Sequence, residues 1–411
     1  MRSRIESDFK GHETLPEGAY YGISTHRRLS QLPVSASASL ARSLAAVKRS
    51  AAYVNSAAGL LPAAKMNAIS RASSEMIAGK FASSVLASLS MPESFDMNVS
   101  EVIANRAIEL RNGERGDYSI IHPREDVAMN QSPHFAFQIA ARLSCLDILS
   151  SVMSGIQALQ KRTSSFEQPF AESLSRNLSA VRKVSEDLKR FSFSLSEKSV
   201  HPFFREELVK KLKKDTGINI RVSDEEGGLV SLSSALMILA SDVAAAGSAV
   251  SASLHPGSYA REAVDSSVSS CLEVISSHHS VVHAAEQSSM SRRARESFIA
   301  SSVLSSAEKM ANALHVMASA DSSGHGDLEA LEEQSAAFRP YLGHHAVSAL
   351  GKHALSKGLS LGSAAVSKNI LSRKDADMIM SLPKGKVDKA LRKRVSRSRL
   401  KALSPKRSRR T

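Results

Sequence analysis

At 411 residues, with 42% apolar side chains, 5% aromatics and no tryptophan, the chain is long enough for a large core, which Ala, Leu, Val, Ile and Met must fill. Its formal charge of +14 is unevenly placed: residues 384–411 hold 13 Lys and Arg against one acid, Asp388, and the rest holds 41 basic and 39 acidic residues. A nearly neutral body argues against a nucleic-acid surface on the folded part and moves the charge question to the tail.

Residues 1–40 mix Gly, Pro and short polar turns, the texture of an extended opening segment. From Ser39 to about Ser90 apolar residues recur at helical spacing, punctuated by Pro62 and Met91-Pro92. A loop over 91–100 leads into a helix-forming run, Glu101–Ala107, and another loop passes through Gly113, Gly116 and His122-Pro123. Residues 133–214 read as long helices, with an apolar stripe through Leu143, Leu146, Leu149, Val152, Ile156 and Leu159, and with Pro169 and Pro202 as breaks. Residues 228–250 and 262–318 continue in that style, and Gly343-His344-His345 reads as a turn between helices. Strand-like alternation is confined to Ile218–Val222, so the expectation is an all-α bundle of long helices and short loops. Ser is frequent even inside these helices, where it costs propensity relative to Ala.

No run of about twenty apolar residues is evident, so no membrane insertion is expected. The N-terminus, Met1–Glu6, lacks an apolar signal-peptide core, and the two cysteines, Cys145 and Cys271, lie far apart, reading as small buried hydrophobes in a reducing, cytoplasmic setting. His279 and His283 stand i, i+4 on a helix, a spacing that can chelate a metal, but no third ligand is evident and no metal is expected. The tail from Lys384 repels itself, so the sequence predicts a disordered extension, or a nonspecific contact for nucleic acid or an anionic surface; it has no aromatics to stack bases.

Five collinear stretches resemble the aspartase/fumarase superfamily. Arg4–Gly11, Leu15-Pro16 and Ala19–Gly22 resemble its opening segment, with Tyr20-Tyr21-Gly22 in the aspartase-like form. Asp96–Ala107 resembles the first substrate-binding region and His122–Ser132 the second. Ser251–Gly257 falls where the signature loop belongs, and Pro340–His345 running on to Ser372 is similar to the C-terminal domain. The resemblance implies an all-α, three-domain fold with a long central bundle: an N-terminal domain over 1–125, a central bundle over 126–335, a small C-terminal domain over 336–383 and the basic tail 384–411. It also implies a homotetramer whose sites draw on several subunits, and a lyase that removes ammonia or water from a dicarboxylate to give a fumarate-like product, with no cofactor.

Such chemistry needs a base beside an acidified carbon, donors for the growing oxyanion and a partner for the far carboxylate. By resemblance the base maps to Ser253, and Ser94, Asn98, His122, Ser132 and His134 map to substrate contacts. The carry-over departs from the family's pattern. Its carboxylate-binding Lys and nearby Asn are replaced by Ser258 and Ala260, and its Thr-Ser-Thr-Asn run becomes Glu93-Ser94-Phe95-Asp96, two carboxylates that would repel a dianion. The second region ends Ser132-Pro133-His134-Phe135, with His134 at an Asn position. The alternative to a diverged lyase is therefore a catalytically inactive homo-oligomeric scaffold acting as a binding protein.

Overall fold

The computed structural model describes residues 3–29, 38–84, 92–162, 168–191, 202–222, 228–254, 259–319, 326–383 and 386–403. The chain divides into two compact units: residues 1–249 with 264–318, and residues 250–263 with 319–411.

In the first unit the opening segment is an antiparallel hairpin, β1 (Ser3–Asp8) and β2 (Gly11–Pro16), in register from Ser3–Pro16 to Asp8–Gly11. The guanidinium of Arg4 holds the chain beyond the hairpin by donating to the carbonyls of Pro16, Ala19 and Tyr21. A short helix α1 (Ile23–Leu29) comes next, tied back to the hairpin by Arg27, which pairs with Asp8 at 2.5 Å and Glu13 at 3.0 Å.

The central helices come after it: α2 (Ala38–Ala57), α3 (Ala63–Ile77), α4 (Pro92–Glu109) and α5 (Pro133–Arg162). Leu40, Leu44, Val47, Ala51 and Val54 give α2 a helical-period apolar face, and it packs on α3, α4 and α5. Beyond these come α6 (Gln168–Leu188), α7 (Pro202–Thr216), α8 (Leu229–Ser253), α9 (Tyr259–Glu286) and α10 (Arg292–Ser319). The expected strand at 218–222 is a two-residue parallel pairing of β3 (Arg190–Phe191) with β4 (Arg221–Val222). Asn177 on α6 donates to Asp242 on α8 at 2.8 Å, and Leu314 of α10 seats over Gly155 of α5, where a Cβ would lie 2.8 Å from it.

Serine-rich helices are accommodated by back-bonding. Ser234, Ser241, Ser248, Ser269, Ser270 and Ser301 each donate to the carbonyl four residues earlier, which keeps a poor helix former satisfied inside a helix. Both cysteines are fully buried, and burial pushes the thiols up to about 12 for Cys145 and about 11 for Cys271. They are packing groups, as the sequence suggested.

The composition argument against membrane insertion does not cover two of the described helices, although the core helix of a soluble protein passes the same test. Pro133–Lys161 and Leu229–Ala252 are long and apolar enough to cross a membrane by length and composition, because Ser interspersed among Ala, Leu and Val hides the run without lowering its mean hydropathy much. Over half of the first window (61%) and under half of the second (44%) is buried inside the protein.

The second unit holds α11 (Gly326–Leu342), α12 (His344–Lys357), α13 (Leu361–Ser367), α14 (Arg373–Ser381) and α15 (Lys389–Leu403). Phe338, Leu342, Val347, Leu350, Leu361 and Ile379 centre its core. Gly343, at φ 76°, turns α11 into α12, which is the turn read from Gly343-His344-His345. Ser360 and Ser372 cap α13 and α14 by accepting from the N–H three residues on. The disordered tail is also corrected in part: Lys389–Leu403 is helical because Leu391 and Val395, one turn apart, are buried in this core. Residues 404–411 lie outside the described residues.

Gly22 shows how tightly α1 is seated. A Cβ there would lie 2.1 Å from the Tyr118 hydroxyl and 2.9 Å from the Glu101 carboxyl carbon. Gly22→Ala is expected to cost about 2 kcal/mol, as overpacking against buried polar groups does; an unchanged urea midpoint would refute the close fit.

Candidate functional site

The first substrate-binding-like region lies on α4, and most of its polar side chains are used by the scaffold. Asn98, Glu101 and Asn105 fall on one helical face. Asn98 donates to the Thr25 hydroxyl at 3.3 Å and to the Ser84 carbonyl at 3.1 Å. Asn105 donates to the Tyr20 carbonyl and accepts from the Gly116 N–H. The Glu101 carboxyl accepts from the N–H groups of Gly22, Ser24 and Thr25 at 2.9–3.1 Å, and so caps the N-terminus of α1 from another helix. Glu6 completes this cradle, accepting from Ile23 N–H and the Tyr118 hydroxyl. Burial pushes Glu101 up to about 7 against the lowering effect of the Thr25 side chain and the N–H groups of Gly22 and Thr25, with nearby Glu6 adding to the rise.

Asp96 corrects the sequence reading. Its carboxylate is 1% exposed and pairs at 2.6 Å with the fully buried Lys48 of α2. It is therefore turned into the core as half of an ion pair, not held out as a charge that repels a dianion. Ser94 is half-buried on the first turn of α4.

In the second region, too, side chains serve local backbone. His122 Nδ1 accepts from the N–H groups of Arg124 and Glu125, capping the single turn Pro123–Val127, and Ser132 Oγ caps α5 by accepting from Phe135 N–H. His134 differs. It is 7% exposed, its Nε2 lies 2.8 Å from Glu296 Oε2 on α10, and its Nδ1 has no hydrogen-bond partner among the described residues. Ser253 ends α8; its side chain, and residues 255–258 of the signature-like loop, lie outside the described residues.

His134 opens a polar stripe that sequence reasoning missed. His134, Gln138 and Arg142 lie i, i+4, i+8 along one side of the N-terminal half of α5. Arg142 Nη1 donates to Gln138 Oε1 at 2.9 Å, which orients the carboxamide and leaves its buried Nε2 without a partner among the described residues. Gln138, Arg142, Glu296, Ile299 and the first turn of α8 (Gly228–Ser231) line a cavity of about 250 Å³. The cavity thus combines a guanidinium, an amide donor, a carboxylate backed by a histidine and the N-terminal end of a 25-residue helix. Of the residues expected from sequence, only His134 reaches it, through Glu296. The polar i, i+4, i+8 spacing was visible in the sequence; the partner Glu296 was not.

No protein-family model matches the chain. Curated relatives do. An aspartate ammonia-lyase from Bacillus sp is 37% identical over 164 residues, 38% of this chain and 35% of that protein. One from Pseudomonas canavaninivorans is 35% identical over 207 residues (47% and 44%), and a class II fumarate hydratase from Ralstonia nicotianae is 34% identical over 168 (39% and 36%). The match spans less than half the length of each of these relatives. Among solved structures, a fumarate lyase:delta crystallin from Brucella melitensis bound to cobalt superposes with a TM-score of 0.70 at 24% identity, covering 93% of this chain and all of that one. A class II fumarase from Schistosoma mansoni gives 0.65 at 19%, covering 92% and 98%.

The fold is therefore the all-α fold of the fumarate lyases. Over the matched stretches the chain is similar to aspartate ammonia-lyases and class II fumarate hydratases.

Proposed function

We propose that this protein is a diverged lyase of the aspartate ammonia-lyase/fumarase type, eliminating ammonia or water from a small dicarboxylate to give a fumarate-like product. The observation that carries this reading is the cavity beside His134, where Arg142 and Gln138 face the Glu296–His134 pair. A substrate of this class needs a cation for a carboxylate and a group that exchanges a proton near the reacting carbons. Arg142 and the Gln138 amide supply the first, in place of the lysine that Ser258 has replaced. Glu296 supplies the second, with His134 holding its carboxylate in position. By the family resemblance Ser253 is the base that takes the carbon-bound proton, which leaves Glu296 to exchange a proton with the departing group. The reaction is proton transfer and elimination, so no cofactor is invoked, and a cytoplasmic homotetramer is the setting we propose.

The test offers aspartate, malate, argininosuccinate and adenylosuccinate and follows the ultraviolet absorbance of the new double bond. Arg142→Met and Glu296→Gln are each expected to lower kcat/KM by about 10²-fold or more, the scale set by removing a charge-assisted hydrogen bond or a proton-transfer group. Full activity in both variants would remove this cavity from the mechanism, and no turnover with any of the four would overturn the lyase reading.

A second reading is the inactive homo-oligomeric scaffold. It is favoured by the commitment of Asn98, His122 and Ser132 to bonds within the fold. It predicts that Ser253→Ala leaves the cellular role untouched, and loses if that change abolishes the role while the thermal midpoint holds.

A further inference from the structure

From the second unit we infer that α15 is a fixed basic ridge that binds the phosphate backbone of double-stranded nucleic acid without reading its sequence. The inference stands apart from the lyase reading. The helix is held at its start, along its inner face and at its side. Asp388 caps the start by accepting from the N–H groups of Ala390 and Leu391 at 2.8 and 3.0 Å, and the Asp388 N–H itself donates to the Tyr341 hydroxyl. Leu391 and Val395, 2% and 1% exposed, anchor the inner face in the core, and Arg394 pairs with Asp375 of α14.

The remaining face is cationic. Lys389, Arg392 and Lys393 are exposed on it, and the sequence carries Arg397, Arg399 and Lys401 further along the same helix. The one acid of residues 384–411, Asp388, is spent on the cap. A helix of 15 residues is about 22 Å long, enough to run beside several phosphates of one duplex strand.

What the described residues of the ridge offer selects its partner. A helix that binds a bilayer surface buries an apolar face at the headgroup boundary, and among the described residues of this helix Leu391 and Val395 are already in the protein core. Grip on single strands rests on aromatic side chains that stack bases, and residues 384–411 contain none. Charge against a regular phosphate backbone is the interaction that remains, and it carries no sequence information.

The experiment uses the full chain and two labelled DNA duplexes of unrelated sequence, with binding followed by fluorescence anisotropy across a salt series. Both duplexes are expected to bind alike, with log affinity falling linearly in log salt. The triple variant Lys389→Gln, Arg392→Gln, Lys393→Gln should show a slope shallower by about 3, close to one for each phosphate no longer neutralised, and more than tenfold weaker binding at low salt. Because all three side chains are exposed, its thermal midpoint should match the parent. A second variant, Leu391→Ser, keeps every basic residue but undocks the helix, and is expected to weaken binding several-fold. Equal salt slopes for parent and triple variant, undiminished binding by Leu391→Ser, strong preference for one duplex, or binding to vesicles of anionic phospholipid without binding to duplex would each overturn the inference.

Discussion

Lys48→Met is expected to lower unfolding stability by about 3–5 kcal/mol, the range seen when one partner of a buried ion pair is removed. The size comes from the charge left behind. Lys48 of α2 is fully buried and Asp96 of α4 is 1% exposed, with 2.6 Å between the ammonium and the carboxylate. Removing the ammonium leaves a carboxylate in the core with neither hydration nor a counter-ion. The pair as a whole is a different matter, since the attraction between two buried charges does little more than offset their desolvation. The double variant Lys48→Met, Asp96→Leu is therefore expected to recover most of the loss. Urea titrations of the parent, both single variants and the double variant measure this directly, with slopes compared to show that the unfolding transition is unchanged. A loss below about 1 kcal/mol for Lys48→Met would mean that water reaches the pair.

Glu101 is expected to make stability fall with rising pH across a window where a solvated carboxylate is silent. Its folded carboxyl stands at about 7 against an ordinary 4.5, because burial penalises the charge more than the Thr25 side chain and the N–H groups of Gly22 and Thr25 favour it. Between those values the native state holds a proton that the unfolded chain has released, so raising the pH favours unfolding. The loss begins near pH 4.5, is complete above about pH 7, and amounts to about 3 kcal/mol. Glu101→Gln cannot ionise. Its stability should lie below the parent near pH 5, where an acceptor oxygen for the α1 cap is gone, and the gap should close or reverse by pH 8. Urea midpoints of the two proteins at those pH values decide it. Parallel pH profiles would show that Glu101 is ionised in the fold throughout, its charge carried by the end of α1.

Both effects fall on residues inside or beside the stretch that most resembles a substrate-binding region, and this bears on how much of the candidate site was legible. The sequence put a loop over 91–100, where α4 in fact already begins at Pro92; the helical run after 101, the turn after His122 and the start of α5 fall where they were expected. Resemblance did not reveal that Asn98, His122 and Ser132 bond to Thr25, the 124–125 backbone and Phe135. A helix cap and a substrate donor use the same hydroxyl, amide or imidazole, so residue type alone does not separate them. Gln138 and Arg142 were passed over because a polar pair on a long helix reads as a solvated face. Only the packing of α10 and the first turn of α8 encloses that face.

The sequence by itself determined the helical class, the order of its segments, the burial of both cysteines and the concentration of charge after Lys384, because periodicity, breakers and composition act over a few residues at a time. The tertiary structure alone decided that Asp96 meets Lys48, that Glu101 caps α1, that Glu296 closes on His134, and that a self-repelling basic run becomes a docked helix. Each of those depends on groups brought together from separate elements, where desolvation and partner geometry, rather than local propensity, set the free energy.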